Sequence, residues 1–464
     1  MLSVPSIVER FLETKMQVHP DVVSYIREHD DEDLIERIIA AVPAHTLVVS
    51  VSHIPGVTKE KDGIRFADTE VEVSQGKQGS CHPVDHIEDY IQYFRDRYNR
   101  LGHMIRSRCD VVPIVAIKQN DRLRQEEVAV CGMVADTRTT NNGHRIITIE
   151  DTTGTCNVLF HKDRPDFTEA ERIIPDEVIG VRGTVSQEGT IIFGNQLLRP
   201  DIPFSFQPYT SKTRGKAVLV SDIHVGSDTF LQEAWDRFTG WISTSDISYL
   251  LIAGDLVDGI GIYPGQDQEL VIKNIYEQYN TLGKMLSSLP SHIQIICAPG
   301  NHDVVRGAEP QPAIPSKFTG SFPANCIFVE NPATIILQGV RILMYHGRSF
   351  DDMIGLIPGA SYEQAHGMMA EMLKRRHLAL CYGKKTPIAA DKTDRMIIDP
   401  IPEVLHTGHV HIMGITKYRG VLGINAGTWQ SQTAFQKQMN IQPTPAKAVI
   451  LDLQTLETEV LDFE

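Results

Sequence analysis

What this chain lacks narrows its chemistry first. Its 464 residues hold no Walker-type Gly-Lys-Ser/Thr loop and no Gly-x-Ser-x-Gly elbow, which argues against an NTPase and a serine hydrolase. The cysteines (Cys81, Cys109, Cys131, Cys156, Cys297, Cys326 and Cys381) are an odd, scattered set without a C-x-x-C pair, so neither a disulfide framework nor a structural zinc site is expected. No apolar run approaches the ~18 residues of a membrane span, and the N-terminus carries acidic residues instead of a basic, hydrophobic leader. We therefore expect a cytoplasmic protein with no membrane partner. Positive charge is scarce as well. The formal net charge of −15 counts against a free-standing, tight DNA binder, because nonspecific affinity for nucleic acid is built from Lys and Arg contacts to phosphate. A nucleic-acid substrate would need a partner subunit for much of its grip.

What is present is concentrated in five short segments of the C-terminal half: Ser221-Asp222-Ile223-His224-Val225-Gly226, Gly254-Asp255-Leu256-Val257-Asp258, Gly300-Asn301-His302-Asp303, Tyr345-His346-Gly347 and Gly408-His409-Val410-His411. Each sets an Asp, Asn or His within two residues of a Gly, and most follow apolar runs such as Ala217-Val218-Leu219-Val220 and Leu250-Leu251-Ile252-Ala253. The pattern predicts metal ligands on tight loops at strand ends. A lone His is weak evidence for a ligand, but this ordered set is not expected by chance. Mixed oxygen and imidazole donors suit two borderline divalent ions such as Mn, Fe or Zn, with Mg a further option, and an aspartate shared between them would hold the ions ~3.5–4 Å apart. The chemistry implied is phosphoester hydrolysis.

On these motifs the chain resembles the calcineurin-like metallophosphoesterase superfamily, which includes the nuclease of the double-strand-break repair complex, over roughly residues 215 to 455. The resemblance implies that Asp222, His224 and His411 bind the first metal, that Asp255 bridges, and that Asn301, His346 and His409 complete the second. It gives His302 no metal role and sets it where it can stabilise or protonate the leaving oxygen, with Asp303 able to orient its ring. A carboxylate behind an imidazole fixes its tautomer and raises its basicity.

Upstream, apolar residues at helical spacing (Ile7, Val8, Phe11, Leu12; Val22, Val23, Ile26; Leu34, Ile35, Ile38, Ile39) predict three short helices. Too small to bury much alone, they read as an adaptor module over residues 1–52. Residues 53–83 are polar and Gly-rich, a linker with room for one hairpin, and their low apolar content is compatible with disorder. A long helix is expected from Asp85 to Arg106, with Ile87, Ile91, Phe94, Tyr98, Leu101 and Ile105 as its core-facing stripe. Strands are predicted at 111–117, 128–134, 145–149, 156–160, 178–185 and 191–193, with a helical insert at 167–173, which suits an OB-like barrel within residues 84–206. Asp151, Asp163, Asp166 and Glu169 deny it an obvious basic face, so we expect an architectural or partner-binding role ahead of direct DNA contact. Residues 207–464 alternate strands and helices, as a two-sheet α/β sandwich requires. Within them, the helix predicted from Tyr362 to His377 ends in Lys374-Arg375-Arg376, followed by Lys384-Lys385. These cations are either a solvated helix end complementing the dipole or a phosphate track to the metals. The fold class is thus multidomain α+β: an OB-like barrel, a two-sheet metallophosphoesterase sandwich and a small helical N-terminal module.

That order of modules resembles the B-subunits of replicative DNA polymerases. With every ligand position and His302 intact, the chain is similar to the small subunits of archaeal family D DNA polymerases; eukaryotic B-subunits keep the architecture but lack these ligands. The resemblance implies 3′→5′ exonuclease proofreading, a large catalytic subunit as partner, and single-stranded or primer-terminus DNA as substrate. Two other readings compete: a non-catalytic structural B-subunit and a stand-alone metallophosphoesterase.

Overall fold

The apolar runs of the C-terminal half become strands buried on both faces. In the computed structural model, which describes residues 4–14, 16–18, 20–29, 32–42, 48–49, 71–74 and 87–464, one six-stranded sheet has the order Cys326–Phe328, Gln294–Ala298, Tyr249–Ala253, Lys216–Val220, Lys447–Asp452, Thr458–Asp462. The first four are mutually parallel. A second six-stranded sheet runs Gly414–Tyr418, Val421–Asn425, Val404–Thr407, Val340–Met344, Ala333–Leu337, Val71–Ser74. Alternation sends Leu219, Leu251 and Ile296 inward against Ile335, Ile342, Val404 and Ile424 of the facing sheet. Their neighbours Val218, Leu250 and Ile295 point outward onto Trp235, Phe238, Tyr279 and Leu282 of the helices Gln232–Ile242 and Ile275–Ser287. Both faces are covered, which is why these strands read as continuous apolar runs instead of alternating ones. Met368, Met369 and Met372 of the helix Ala365–Arg375 cover the second sheet beside Leu343 and Leu405.

Residues 127–198 close into a five-stranded barrel in the order Glu127–Thr139, Arg145–Asp151, Gly154–Phe160, Ile191–Leu198, Val178–Val185, filled by Val130, Ile147, Val158, Val181 and Ile192. The strand expected at 111–117 is instead the helix Ile114–Gln119. Pro113 precedes it with φ −59° and cannot donate to a ladder. The first free amides are taken by side chains, Ile114 N by Asp151 Oδ2 (2.9 Å) and Val115 N by Thr153 Oγ1 (3.1 Å). Ile114 and Ile117, one turn apart, are buried in the barrel core.

The long helix spans Ile87–Arg106, but its buried face is Tyr93, Arg97, Leu101 and Ile105. Ile87 and Ile91, expected in the core, are 71% and 45% exposed. What displaced the stripe is a buried cation. Arg97 is fully enclosed, with Nε 2.7 Å from Asp394 Oδ2, Nη1 donating to Leu380 O (2.7 Å) and Nη2 to Tyr93 OH (2.9 Å). A paired and fully hydrogen-bonded guanidinium can occupy a core position that hydrophobicity alone would deny it.

The reading of 53–83 as a linker fails at Val71–Ser74, which pairs antiparallel with Ala333–Leu337 as an edge strand of the second sheet. The rest of that stretch and Cys81 lie outside the described residues. Residues 1–65 form a separate compact unit. Its helices Val4–Glu13, Pro20–His29 and Glu32–Ala41 pack Ile7, Phe11, Val22, Ile26, Ile35 and Ile38 together, although Leu12, expected inside, is exposed.

Candidate metal centre

All five polar segments sit where strands end. The loops after Lys216–Val220, Tyr249–Ala253 and Gln294–Ala298 of the first sheet meet those after Val340–Met344 and Val404–Thr407 of the second. The turns are severe: Asp222 (φ +53°), His224 (+54°), Asp255 (+49°), His409 (+72°) and His411 (+59°) all adopt left-handed backbone, which costs a non-glycine residue of order 1–3 kcal/mol. Glycine serves close approach here. A Cβ on Gly300 would collide with Asp255 Oδ1, and one on Gly408 with Asp222 Oδ2.

Two three-donor clusters result. Asp222, His224 and His411 present ligand atoms within 4.8 Å of one another, as do Asp255, His346 and His409. Asp255 Oδ2 links the clusters, 3.2 Å from His346 Nε2 and 3.7 Å from His224 Nε2. Asn301 Oδ1 joins the second at 3.1 Å from His346 Nε2. The Nε2 atoms of His224 and His411 face each other at 3.1 Å, and Asp222 Oδ1 is buried without a hydrogen-bond donor, 3.3 Å from His411 Nε2. A buried, unsatisfied carboxylate oxygen among converging imidazoles suits a cation far better than it suits an empty core. The donor set therefore fits divalent-ion binding.

Each ring is held from behind. Asp258 Oδ1 meets His224 Nδ1 (3.1 Å), Gln436 Nε2 meets His411 Nδ1 (2.9 Å), and His346 Nδ1 donates to the Ala253 carbonyl (2.9 Å). His409 is held through the other nitrogen, its Nε2 lying 3.3 Å from Asp351 Oδ2, which leaves Nδ1 for the cluster. Such outer partners set tautomer and orientation. Sequence reading missed this layer: Asp258 stood inside a quoted segment without a role, and neither Asp351 nor Gln436 carries a local signal.

His302 gathers with His224 and Asp255 as a third possible donor group. Its Nδ1 donates to the Asp258 carbonyl at 2.7 Å. Asp303 does not orient that ring, contrary to expectation. Its Oδ2 accepts from Gly300 N (2.8 Å) and Leu256 N (3.1 Å), and its Oδ1 from Tyr279 OH (2.7 Å). Turned into the protein, it ties the Asp255 loop to the Asn301 loop, and burial with the nearby Asp255 charge raises its carboxyl to about 6.

Electrostatics match a site built for added positive charge. Burial would lower the imidazoles of His224 and His346, yet the adjacent carboxylates of Asp222 and Asp258 raise the first to about 10, and Asp255 raises the second to about 9. Burial would raise Asp222 and Asp255, but the surrounding histidines pull both well below the carboxylate range.

The proposed phosphate track does not survive. Arg375 is buried, paired with Glu371 and, at 3.1 Å, with Glu177 of the barrel, while its Nη2 donates to Arg172 O (2.7 Å). Arg376 donates to Ile398 O (2.8 Å), and Lys374 to Glu371 (3.1 Å). With Arg199 on Glu177 (2.6 Å), this network clamps the barrel to the sandwich. Lys384 and Lys385 alone of that cluster are exposed.

A closed OB barrel clamped to a two-sheet sandwich with a polar strand-end site is the build of a polymerase B-subunit, and the family model for the B-subunit of DNA polymerases alpha and epsilon matches residues 217–412. Residues 128–195 match one described as OB-fold nucleic acid binding domain. The chain is 41% identical over 402 residues to the DNA polymerase II small subunit of Methanothermobacter thermautotrophicus, covering 83% of this chain and 82% of that one. It is 40% identical over 411 residues to that of Halobacterium salinarum (87% and 80% covered), and 40% over 417 to that of Methanocaldococcus jannaschii (87% and 69%). The chain belongs to the family of archaeal DNA polymerase II small subunits, the small subunits of family D. Among the described residues no helix is long and apolar enough to cross a membrane.

Proposed function

We propose that this chain is the 3′→5′ proofreading exonuclease of a two-subunit replicative polymerase, acting by two-metal phosphodiester hydrolysis in the cytoplasm. The observation that carries this reading is the pair of three-donor clusters joined at Asp255. A purely structural subunit has no use for five candidate ligands in left-handed backbone and an unsatisfied buried carboxylate oxygen. We divide the chain into an adaptor (1–52), a connecting segment (53–83) that includes the edge strand, the OB domain with its leading helix (84–206) and the phosphoesterase domain (207–464). Asp222, His224 and His411 would hold one ion, Asn301, His346 and His409 the other, and Asp255 both, with manganese our first choice. When bound, the ions neutralise the phosphodiester and bring a water near neutral pKa.

The chain's own contribution centres on His302. Its Nδ1–H is committed to the Asp258 carbonyl, so Nε2 is the nitrogen left to exchange a proton with substrate or water. His302→Ala is expected to cut turnover 10²–10⁴-fold while metal content, measured by elemental analysis, stays at the wild-type level. Wild-type turnover would remove His302 from the mechanism; loss of an ion would make it a ligand.

The large catalytic subunit is the partner of this chain, and primer-terminus or single-stranded DNA the substrate. At a net charge of −15 the isolated chain should bind single-stranded DNA weakly and in a salt-sensitive way. The reconstituted complex should remove a mismatched 3′ nucleotide faster, because it raises the effective concentration of the terminus at the site. The test is the rate of mismatch removal with manganese for each form, alongside co-purification. A chain that ignores DNA in both forms but hydrolyses a cyclic nucleotide or phosphoprotein is a stand-alone phosphoesterase instead. Deleting residues 1–52 should leave hydrolysis by the isolated chain intact, since every proposed ligand lies beyond Lys216.

A further inference from the structure

Beside His302, residues 259–269 leave the site at Asp258 and fold back on it. A Cβ on Gly259 (φ +77°) would strike the His302 carbonyl, so the loop presses directly on the His302 segment. Gln266, itself buried, donates to both the Asp258 carbonyl (2.8 Å) and Asp258 Oδ2 (2.9 Å), and accepts from Ile262 N (2.9 Å). Asp258 is the residue that braces His224 through its carboxylate and accepts the His302 Nδ1–H hydrogen bond at its carbonyl. The loop is therefore wired into the same network as the candidate ligands.

On this pinned loop the large apolar side chains face out: Ile260 is 45% exposed, and Ile262 and Tyr263 are each 39% exposed. Tyr263 is fixed as well, its hydroxyl donating to Glu269 Oε2 (2.7 Å) and its ring standing 6.4 Å from that of His302 at 66°. Exposed aromatic and branched apolar surface, held in place at the mouth of a reaction site, is built to be covered by something flat and uncharged. Phosphate is a poor occupant, because the acidic groups here are Asp267 and Glu269. Cationic charge lies instead toward the His409 cluster, where Lys385 N donates to Asp352 (2.7 Å) and its charge reaches Asp351, the partner of His409.

We propose that Tyr263, flanked by Ile262, is a nucleobase subsite on which the terminal base of the degraded strand stacks, a proposal that rests on the exonuclease reading above. Aromatic stacking tolerates every base, because each presents a π-face, as a proofreader that removes any misplaced nucleotide requires.

The experiment uses the reconstituted two-subunit complex with manganese. An oligonucleotide carrying 2-aminopurine at its 3′ end should be quenched on binding, before hydrolysis, by the wild type and by Tyr263→Phe, and not by Tyr263→Ala. For an ordinary 3′ end, Tyr263→Ala should raise KM about 5- to 140-fold, the range expected for one lost stack, with kcat little changed. On an oligonucleotide ending in an abasic nucleotide, wild type and Tyr263→Ala should perform alike. Absence of quenching by the wild type overturns the subsite, as does an unchanged KM in Tyr263→Ala. An equal loss on normal and abasic ends would mean that the ring only positions His302. Failure of Tyr263→Ala to co-elute with the large subunit would make this face a subunit contact. Quenching without degradation by the wild-type complex would support the subsite and overturn the exonuclease reading.

Discussion

Asp255→Ala is expected to abolish phosphodiester hydrolysis and to lower bound metal at both clusters. Its carboxylate meets imidazoles of both: Oδ2 lies 3.2 Å from His346 Nε2 and 3.7 Å from His224 Nε2. Removing it deletes a shared ligand and leaves several buried imidazoles without their counter-charge, so the loss should exceed that from either terminal ligand. Its Oδ1 also receives the His302 amide (2.8 Å), so a folding defect must be separated from a chemical one. Asp255→Asn keeps that acceptor and serves as the control, with Asp222→Ala and His346→Ala alongside. Each should show at most one retained ion by elemental analysis and no measurable exonuclease rate. Manganese should raise the melting temperature of the wild type by mass action, since an ion that binds only the folded form stabilises it, and should do so much less in these variants. Full metal content and full activity in all of them would refute the ligand set.

Arg97→Ala is expected to destabilise the 66–464 unit by about 3–5 kcal/mol at neutral pH, the usual consequence of stranding one partner of a buried ion pair. Asp394 would lose its guanidinium partner and keep His377 (2.8 Å), and the Leu380 carbonyl would lose the Arg97 donor. The pH dependence has a definite sign. Burial would raise the Asp394 carboxyl, but His377 and Arg97 hold it well below its ordinary value. A carboxyl depressed in the folded state contributes stability above its unfolded pKa of about 3.9 and loses that contribution as pH falls. The gap between wild type and Arg97→Ala should therefore be widest near pH 7 and narrow below about pH 4. Denaturant titrations at several pH values measure it. A gap under about 1 kcal/mol at pH 7, where exposed pairs fall, would mean that this contact does not hold the leading helix to the sandwich.

Much of the molecule was legible because its signals are local. Strand runs such as Leu250-Leu251-Ile252-Ala253 are apolar throughout since both sheet faces are covered, and a tight loop with a ligand needs its glycine within a residue or two. That is why the ordered Asp, Asn and His segments could be found without a structure, and why the barrel strands were readable from their turns. Pro113 was equally local, yet its weight as a helix start was lost among the β-branched residues around it.

What only the tertiary structure decided is how distant charges pair. Arg97 finds Asp394, and Arg375 finds Glu177, across intervals that carry no periodic mark; each pairing turned a residue expected at a surface into a core one. The same holds around the site. Asp303 faces Tyr279 instead of His302, and the braces on His224, His409 and His411 come from Asp258, Asp351 and Gln436. Pairing energy depends on separation in space and on burial, neither of which is written in the order of residues. The identity of the donors is therefore sequence information, while their orientation, their supports and the clamp between barrel and sandwich exist only once the chain has closed on itself.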